Sequence, residues 1–404
     1  MADPATSPPL ERASIFAAHE LIKPYVHRTP VLTNATLTAL ASTPRTAEDL
    51  RATRWADRAD RPARPVLRLW FKCENFQRIG AFKPRGAFHA VERLKLIPGW
   101  LEGQGRTNGV VTASSGNHAQ ALALAARTSG IPAHIVIPSI APAPKLAATK
   151  ALGATIYRSG STSAEREAVA AKVVADTGGR YIPPYDHPDI ILGQGTLGLE
   201  MQEQVEALMA GGDGATAGGD FTRRGQTSGT QTQDGGEKKK GLDAIMAPCG
   251  GGGMLSGVAL SCEGTGIRVF GAEPEFQGAD ECKRSFEAGQ RIDTVKSLTI
   301  ADGLRTPVGK YPWSIIYERR LVSQMFNVTE DEIKDALRLI LERFKLVVEP
   351  SGAVPLAVAL FNEDFRAMVE TEAGENGWDL GIVLSGGNVS LEMLGKLFPE
   401  GLPA

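Results

Sequence analysis

An α/β fold built on parallel sheets, with helices on both faces, is predicted by three features of this sequence. Short apolar strands alternate with helical segments from Gly109 onward, a run of four glycines follows one such strand and opens a helix, and polar loops recur where strands end. Ligands of such sheets sit at the carboxyl ends of the strands.

The elements follow in order. Residues 10–26 read as an amphipathic helix and 66–73 as a strand rich in β-branched and aromatic residues. Between them, residues 42–65 are charged and proline-bearing, as expected of a surface insertion. The alternation then runs through strands at 109–112, 133–138 and 155–158 and helices at 117–127, 145–152 and 163–177. Residues 211–240 are a low-complexity run of Gly, Thr, Gln and Asp closed by Lys238, Lys239 and Lys240, too polar to bury and expected as a mobile surface loop. Beyond it come strands at 244–247, 269–272 and 381–384 and helices at 330–344 and 353–361.

Composition narrows the function. A chain of 404 residues with 42% hydrophobic residues and a net charge of -2 suits two domains with a cleft between them. Its Lys and Arg residues are scattered, so no nucleic-acid or anionic-membrane footprint is expected, and a small-molecule partner is. The N-terminus lacks a signal-peptide pattern and no apolar run approaches the ~20 residues of a membrane span, so a cytoplasmic location is expected. The four cysteines, Cys73, Cys249, Cys262 and Cys282, form no CxxC pair, which argues against a structural zinc and for buried free thiols.

Gly250, Gly251, Gly252 and Gly253, followed by Met254, form the strongest motif. Without side chains, successive amides can turn toward one anion, and the following helix adds its positive end, which makes a phosphate cradle. The run fits neither the dinucleotide nor the P-loop pattern. A GxGxxG match at 193–198 follows a proline-bearing segment rather than a clean strand, so a nicotinamide enzyme is disfavoured. Ser114, Ser115, Gly116, Asn117 and His118 lie between a strand and a helix, where hydroxyls and amides serve either a carboxylate or plain helix capping. Lys83 lies just ahead of a helical run; at the lip of a cleft such a lysine loses proton affinity and forms a Schiff base with an aldehyde cofactor, although a lone lysine is usually a solvated charge.

Taken together and in order, F-K-P-R-G-A around Lys83, S-S-G-N-H-A-Q from Ser114, G-G-G-G-M from Gly250, A-E-P from Ala272, E-P-S-G from Glu349 and L-S-G-G-N from Leu384 resemble the serine and threonine dehydratase and serine racemase family. The resemblance runs from about Leu21 to Phe398, outside the two insertions. It implies pyridoxal 5'-phosphate as cofactor and the fold type of tryptophan synthase β, with two open, twisted parallel-sheet domains. Residues 1–100 and 188–404 would form a large cofactor-binding domain, and 105–187 a small mobile one that closes over the substrate. A homodimer is also implied.

By the same resemblance, Lys83 is the Schiff-base lysine, Phe82 lies against the cofactor ring, Asn117 meets the ring hydroxyl, Glu349 lies beside the cofactor, and Gly250 to Met254 bind the phosphate. Ser385 would meet the pyridine nitrogen; a hydroxyl there leaves the nitrogen uncharged, which favours β-elimination. Ser114, Ser115 and His118 would hold the substrate carboxylate, and Arg166, Asp186 and Asp302 would line its pocket. Arg166 also suits an exposed helix charge paired with neighbouring glutamates. Ser115 matches a serine that faces the opposite side of the α-carbon in serine racemases, which makes racemisation the alternative activity. Glu273, the carbonyl of Ala279 and Glu281 resemble a divalent metal site suited to Mg²⁺ or Ca²⁺, with Asp280 the competing acid because two extra residues around Phe276 to Gly278 alter the spacing. The expected activity is deamination of L-serine, L-threonine or L-threo-3-hydroxyaspartate to a 2-oxo acid and ammonia. Two departures stand out: Ala81 replaces a hydroxyl residue common before Phe-Lys, and the chain ends without a regulatory domain, so feedback control by isoleucine is not expected.

Overall fold

The structure is a computed structural model that describes residues 4–114, 116–139, 143–160, 163–211 and 241–399. Its strands in chain order are β1 (Val31–Leu32), β2 (Leu67–Cys73), β3 (Val110–Ala113), β4 (Ala133–Pro138), β5 (Thr155–Ser159), β6 (Arg180–Tyr181), β7 (Ala244–Pro248), β8 (Arg268–Pro274), β9 (Gln324–Val328) and β10 (Trp378–Leu384). They form a six-stranded sheet in the order β1-β2-β10-β7-β8-β9 and a four-stranded sheet in the order β5-β4-β3-β6. Every pairing is parallel except that of β1, an edge strand running antiparallel to β2 through Val31 and Lys72.

The central strands carry apolar residues on both faces because helices cover both. In the large sheet, Leu69, Phe71, Phe270, Leu380 and Ile382 point into one core, and Ile245, Ala247, Val269 and Val383 into the other. The small sheet repeats the rule with the strand period of two: Val110, Ile135 and Ile137 face one side, Val111, Ala113 and Val136 the other.

The GxGxxG segment lies inside the Pro188–Met209 helix. Its glycines serve packing: a Cβ on Gly195 would come within 2.6 Å of the Gly257 carbonyl oxygen, so this helix and the Gly253–Cys262 helix approach backbone to backbone. The insertion at 42–65 is not a loose surface segment. It forms the Ala47–Arg51 helix with a small core of Leu50, Trp55 and Ala59, and Arg54 donates to Glu275 (2.8 Å) and to both oxygens of Asn327. The helix expected over 330–344 is α-helical only at Glu330–Leu339 and finishes in a wider π turn, Ile340–Phe344. The low-complexity segment at 212–240 lies outside the described residues. Among the described residues no helix is long and apolar enough to cross a membrane.

Under the carboxyl end of β2 lies a buried charge network. Arg85 donates to Glu74 (2.8 and 2.9 Å) and to Glu200 (2.8 and 2.7 Å), and Lys72 donates to Glu200 at 2.8 Å. Burial pushes the Glu200 carboxyl up, but Arg85 and Lys72 more than offset it and hold it down at about 2. A depressed carboxylate contributes stability that is present above its ordinary value of 4.5 and is lost as the pH falls toward about 2. Removing one partner of such a group strands a buried charge, so Arg85→Ala is expected to cost about 3 to 5 kcal/mol. A urea unfolding midpoint measured at neutral pH checks this.

Candidate active site

The cleft is assembled where the strands of the large sheet end. β2 leads through a turn to Lys83, β10 ends immediately before Ser385, and β7 ends just before Cys249 and the glycine run. Lys83 stands directly before the Pro84–Lys95 helix, whose first position is a proline that needs no amide partner. Two contacts fix this turn on β10: the Phe82 amide donates to the Ser385 carbonyl at 3.1 Å, and Ala81 bridges to Gly386.

The Lys83 amine donates to the Pro184 carbonyl at 2.8 Å and lies 5.0 Å from the centre of the Phe82 ring. Burial pushes its pKa down to about 8, while the Glu349 carboxylate pulls in the other direction. A substantial neutral fraction near neutrality is what a nucleophilic amine requires. Glu349 is buried and opens the Pro350–Phe361 helix; its amide donates to the Gly386 carbonyl at 3.0 Å. Its Oε1 accepts from Asn117 Nδ2 at 2.9 Å, and Asn117 Oδ1 accepts from Asn388 Nδ2 at 2.8 Å. Asn388 also donates to the carbonyl of Ile79, a β-branched residue held at φ 62°. Strain of that kind persists where the surroundings over-determine it.

Gly250 to Gly253 turn from β7 into the Gly253–Cys262 helix, with Gly252 at φ 82°. No hydrogen bond from the amides of Gly251 or Gly252 occurs among the described residues. A Cβ on Gly251 would overlap the ring of Tyr185, whose phenol is pushed up to about 12 by burial and by Asp186. Asp186 itself accepts from the amides of Lys310 (3.0 Å) and Tyr311 (2.9 Å), and Gly309 donates to the Gly251 carbonyl at 3.1 Å. The Asp186 carboxylate thus ties the segment that carries Tyr185 to the Lys310–Trp313 helix. Gly303, next to Asp302, donates to Ser351 at 3.0 Å.

On the small sheet, Ser114 follows β3; its hydroxyl accepts from the Gly116 amide at 3.3 Å, and Asn117 opens the Asn117–Thr128 helix. Ser115 lies outside the described residues. His118 is buried, with Nε2 3.3 Å from the Ile182 carbonyl; burial and then the Lys83 charge push it down to about 3, so the ring is neutral. Arg166 lies in the first turn of the Ser163–Thr177 helix; burial and then Glu167 push the Tyr181 phenol up, and the Arg166 charge opposes them. Met254 and Ser385 are buried.

Glu273 and Glu281 are buried carboxylates, both with raised proton affinity. Burial and then Glu281 push Glu273 well above its ordinary range, and burial pushes Glu281 up to about 7. Glu281 accepts from the Val308 amide at 3.0 Å. Asp280 turns instead toward Arg284 (3.1 Å) and Asn327 (2.9 Å), which leaves Glu281 as the acid beside Glu273; Ala279 is buried next to them. A divalent cation would supply the charge this pair lacks. Sequence reasoning passed over Tyr185, Asn388 and Ile79. Tyr185 stood one residue from Asp186, but nothing in its spacing tied it to a glycine run more than sixty residues on.

These residues fit pyridoxal phosphate: a glycine loop with unengaged amides at a helix N-terminus suits the phosphate, and a desolvated lysine suits the aldehyde. Over 387 residues the chain is 38% identical to a serine racemase of Arabidopsis thaliana, covering 95% of each protein. It is 36% identical to a beta-hydroxyaspartate dehydratase of Paracoccus denitrificans, covering 94% of this chain and 96% of that one. Its fold matches the structure of maize serine racemase with a TM-score of 0.74 at 36% identity, over 96% of this chain and 97% of the other. Residues 54–223 and 227–376 match the model of the pyridoxal-phosphate dependent enzymes, and the chain belongs to that family.

Proposed function

We propose that the protein deaminates a small β-hydroxy amino acid, L-serine, L-threonine or L-threo-3-hydroxyaspartate, to a 2-oxo acid and ammonia. The observation that carries this reading is the Lys83 amine, brought down to about 8 by burial and drawn the other way by Glu349, with the Gly251 and Gly252 amides of the nearby glycine run left without a partner among the described residues. When bound, pyridoxal phosphate supplies the electron sink that makes an α-proton of an amino acid removable. The chain's own residues do the rest. Gly250 to Met254 hold the phosphate, Phe82 supports the ring, and Asn117, Glu349 and Ser385 orient it. Ser114, Ser115 and the start of the Asn117–Thr128 helix hold the substrate carboxylate, with neutral His118 bracing that loop from beneath.

Lys83 takes the α-proton as general base, and the protonated amine would return a proton to the β-hydroxyl as its C–O bond breaks, so that it leaves as water. Arg166, Asp186 and Asp302 bound the substrate pocket, Asp186 acting through the helix it caps. Residues 105–187 form the small domain that closes on residues 1–100 and 188–404 and excludes water. Glu273, the Ala279 carbonyl and Glu281 hold Mg²⁺ or Ca²⁺. In this reading the protein works as a cytoplasmic homodimer.

Similarity to serine racemases favours a second reading, interconversion of L- and D-serine, in which Ser115 exchanges a proton on the face opposite Lys83. Chiral chromatography of reactions with each of the three substrates separates the two. A 2-oxo acid in excess of the D-amino acid is the expected result; D-serine without pyruvate would replace the first reading by the second, and neither product would overturn both.

The amine's titration gives a further prediction. Capture of added pyridoxal phosphate by the cofactor-free protein needs neutral Lys83, so its rate should rise about tenfold per pH unit below about 8 and level off above it. Glu349 raises the amine's pKa, so Glu349→Gln should move this limb to lower pH. Stopped-flow absorbance across a pH series checks both.

A further inference from the structure

Residue spacing argued against a cysteine metal site, but the fold brings together what the sequence separates. β7 and β8 run in parallel register, Pro248 opposite Ala272, and the Cys249 amide donates to the Ala272 carbonyl at 2.9 Å. Cys249 therefore lies across from Glu273 at the strand ends. Cys282, in the first turn of the Glu281–Ala288 helix, donates its amide to Glu273 Oε1 at 3.2 Å. The two sulfurs and a Glu273 oxygen all lie within 4.8 Å of one another, and all three residues are fully buried.

We propose that Cys249, Glu273 and Cys282 form a binding site for a thiophilic divalent cation, Zn²⁺ or Cd²⁺. With metal–sulfur bonds of about 2.3 Å and a metal–oxygen bond of about 2.0 Å, tetrahedral ligand atoms stand roughly 3.3 to 3.8 Å apart, so the cluster needs only small side-chain adjustments. Two thiolates and one carboxylate leave a fourth position for water. Each thiol gives its proton to solvent as its metal–sulfur bond forms, and Glu273 gives up any proton it holds, so binding releases at least two protons and tightens with rising pH. Thiolates select Zn²⁺ and Cd²⁺ over Mg²⁺ and Ca²⁺, which prefer oxygen. The site shares Glu273 with the oxygen-ligand site proposed above but does not depend on it, and the two cations exclude each other. Cys249 also adjoins Gly250, and its thiol donates to the Gly250 carbonyl at 3.4 Å, so occupancy reaches the phosphate loop directly.

The test is titration of the reduced, chelator-treated holoenzyme with Cd²⁺ after prolonged incubation, read by the ultraviolet sulfur-to-cadmium charge-transfer band and by bound metal per chain. One Cd²⁺ per chain with a thiolate band is expected. Cys249→Ser and Cys282→Ser should each weaken binding at least about tenfold, whereas Glu281→Gln should leave the band in place and Mg²⁺ should fail to abolish it. Should the two serine variants not fold, the Cys73→Ser/Cys262→Ser double variant decides: those thiols lie elsewhere, and the band must survive their loss. No band in the wild type, a band lost in the double variant, or a Cys249–Cys282 disulfide that resists reduction in the native protein would overturn the site. A band that persists while Glu281→Gln abolishes Mg²⁺ binding separates this site from the oxygen-ligand one.

Discussion

Lys83→Ala is expected to lose at least about 10³-fold in turnover together with the visible absorbance of the bound cofactor. A positioned general base alone contributes about 10² to 10⁴-fold, and this residue is also the proposed covalent anchor. The same change should leave stability unchanged or raise it. The amine gives up water on burial, as its lowered pKa shows, and it donates a hydrogen bond to the Pro184 carbonyl. Normal urea stability with absorbance and turnover both lost therefore marks a functional lysine. A variant that kept both would remove Lys83 from the chemistry.

The fold was legible wherever a local pattern decided the structure. Strands such as β4 and the Ser163–Thr177 helix follow from periodicity, because helices cover both faces of each sheet and the apolar runs have nowhere else to go. The edge strand β1, of two residues, and β6, also of two, carry too few side chains to show a period. The insertion at 42–65 read as surface because its charges outnumber its apolar residues, yet Arg58 and Trp55 pair with Asp364 more than 300 positions away. No local rule reports such partners.

The site shows the same division. Lys83 and the glycine run could be proposed from the sequence because few residue types can form a Schiff base or let successive amides turn toward one anion. The contacts that shape the cleft could not: Asn117 meets Glu349 across 232 positions and Asn388 across 271. The cysteines carry the sharpest lesson. Ligand spacing rules assume that a metal site is built from one turn or hairpin, but parallel strands place residues far apart in sequence at adjacent strand ends.

Gly251→Ala is the second change expected to have a large effect, and it tests the cradle rather than the lysine. The added methyl would overlap the Tyr185 ring, which is anchored through Asp186 to the Lys310–Trp313 helix and cannot simply withdraw. Overpacking of this kind costs about 1 to 3 kcal/mol, which corresponds to roughly five- to 150-fold in the Kd for pyridoxal phosphate. The pH limb for cofactor capture should stay near 8, since Lys83 and Glu349 are untouched. Gly251→Ala combined with Tyr185→Ala removes the overlapping ring and should recover most of the lost affinity if the clash is the cause. A double variant as weak as the single one would instead assign the loss to the loop backbone, whose amides then cannot turn toward the phosphate once a side chain restricts them. Equilibrium titration of the cofactor into each cofactor-free protein reads the difference directly.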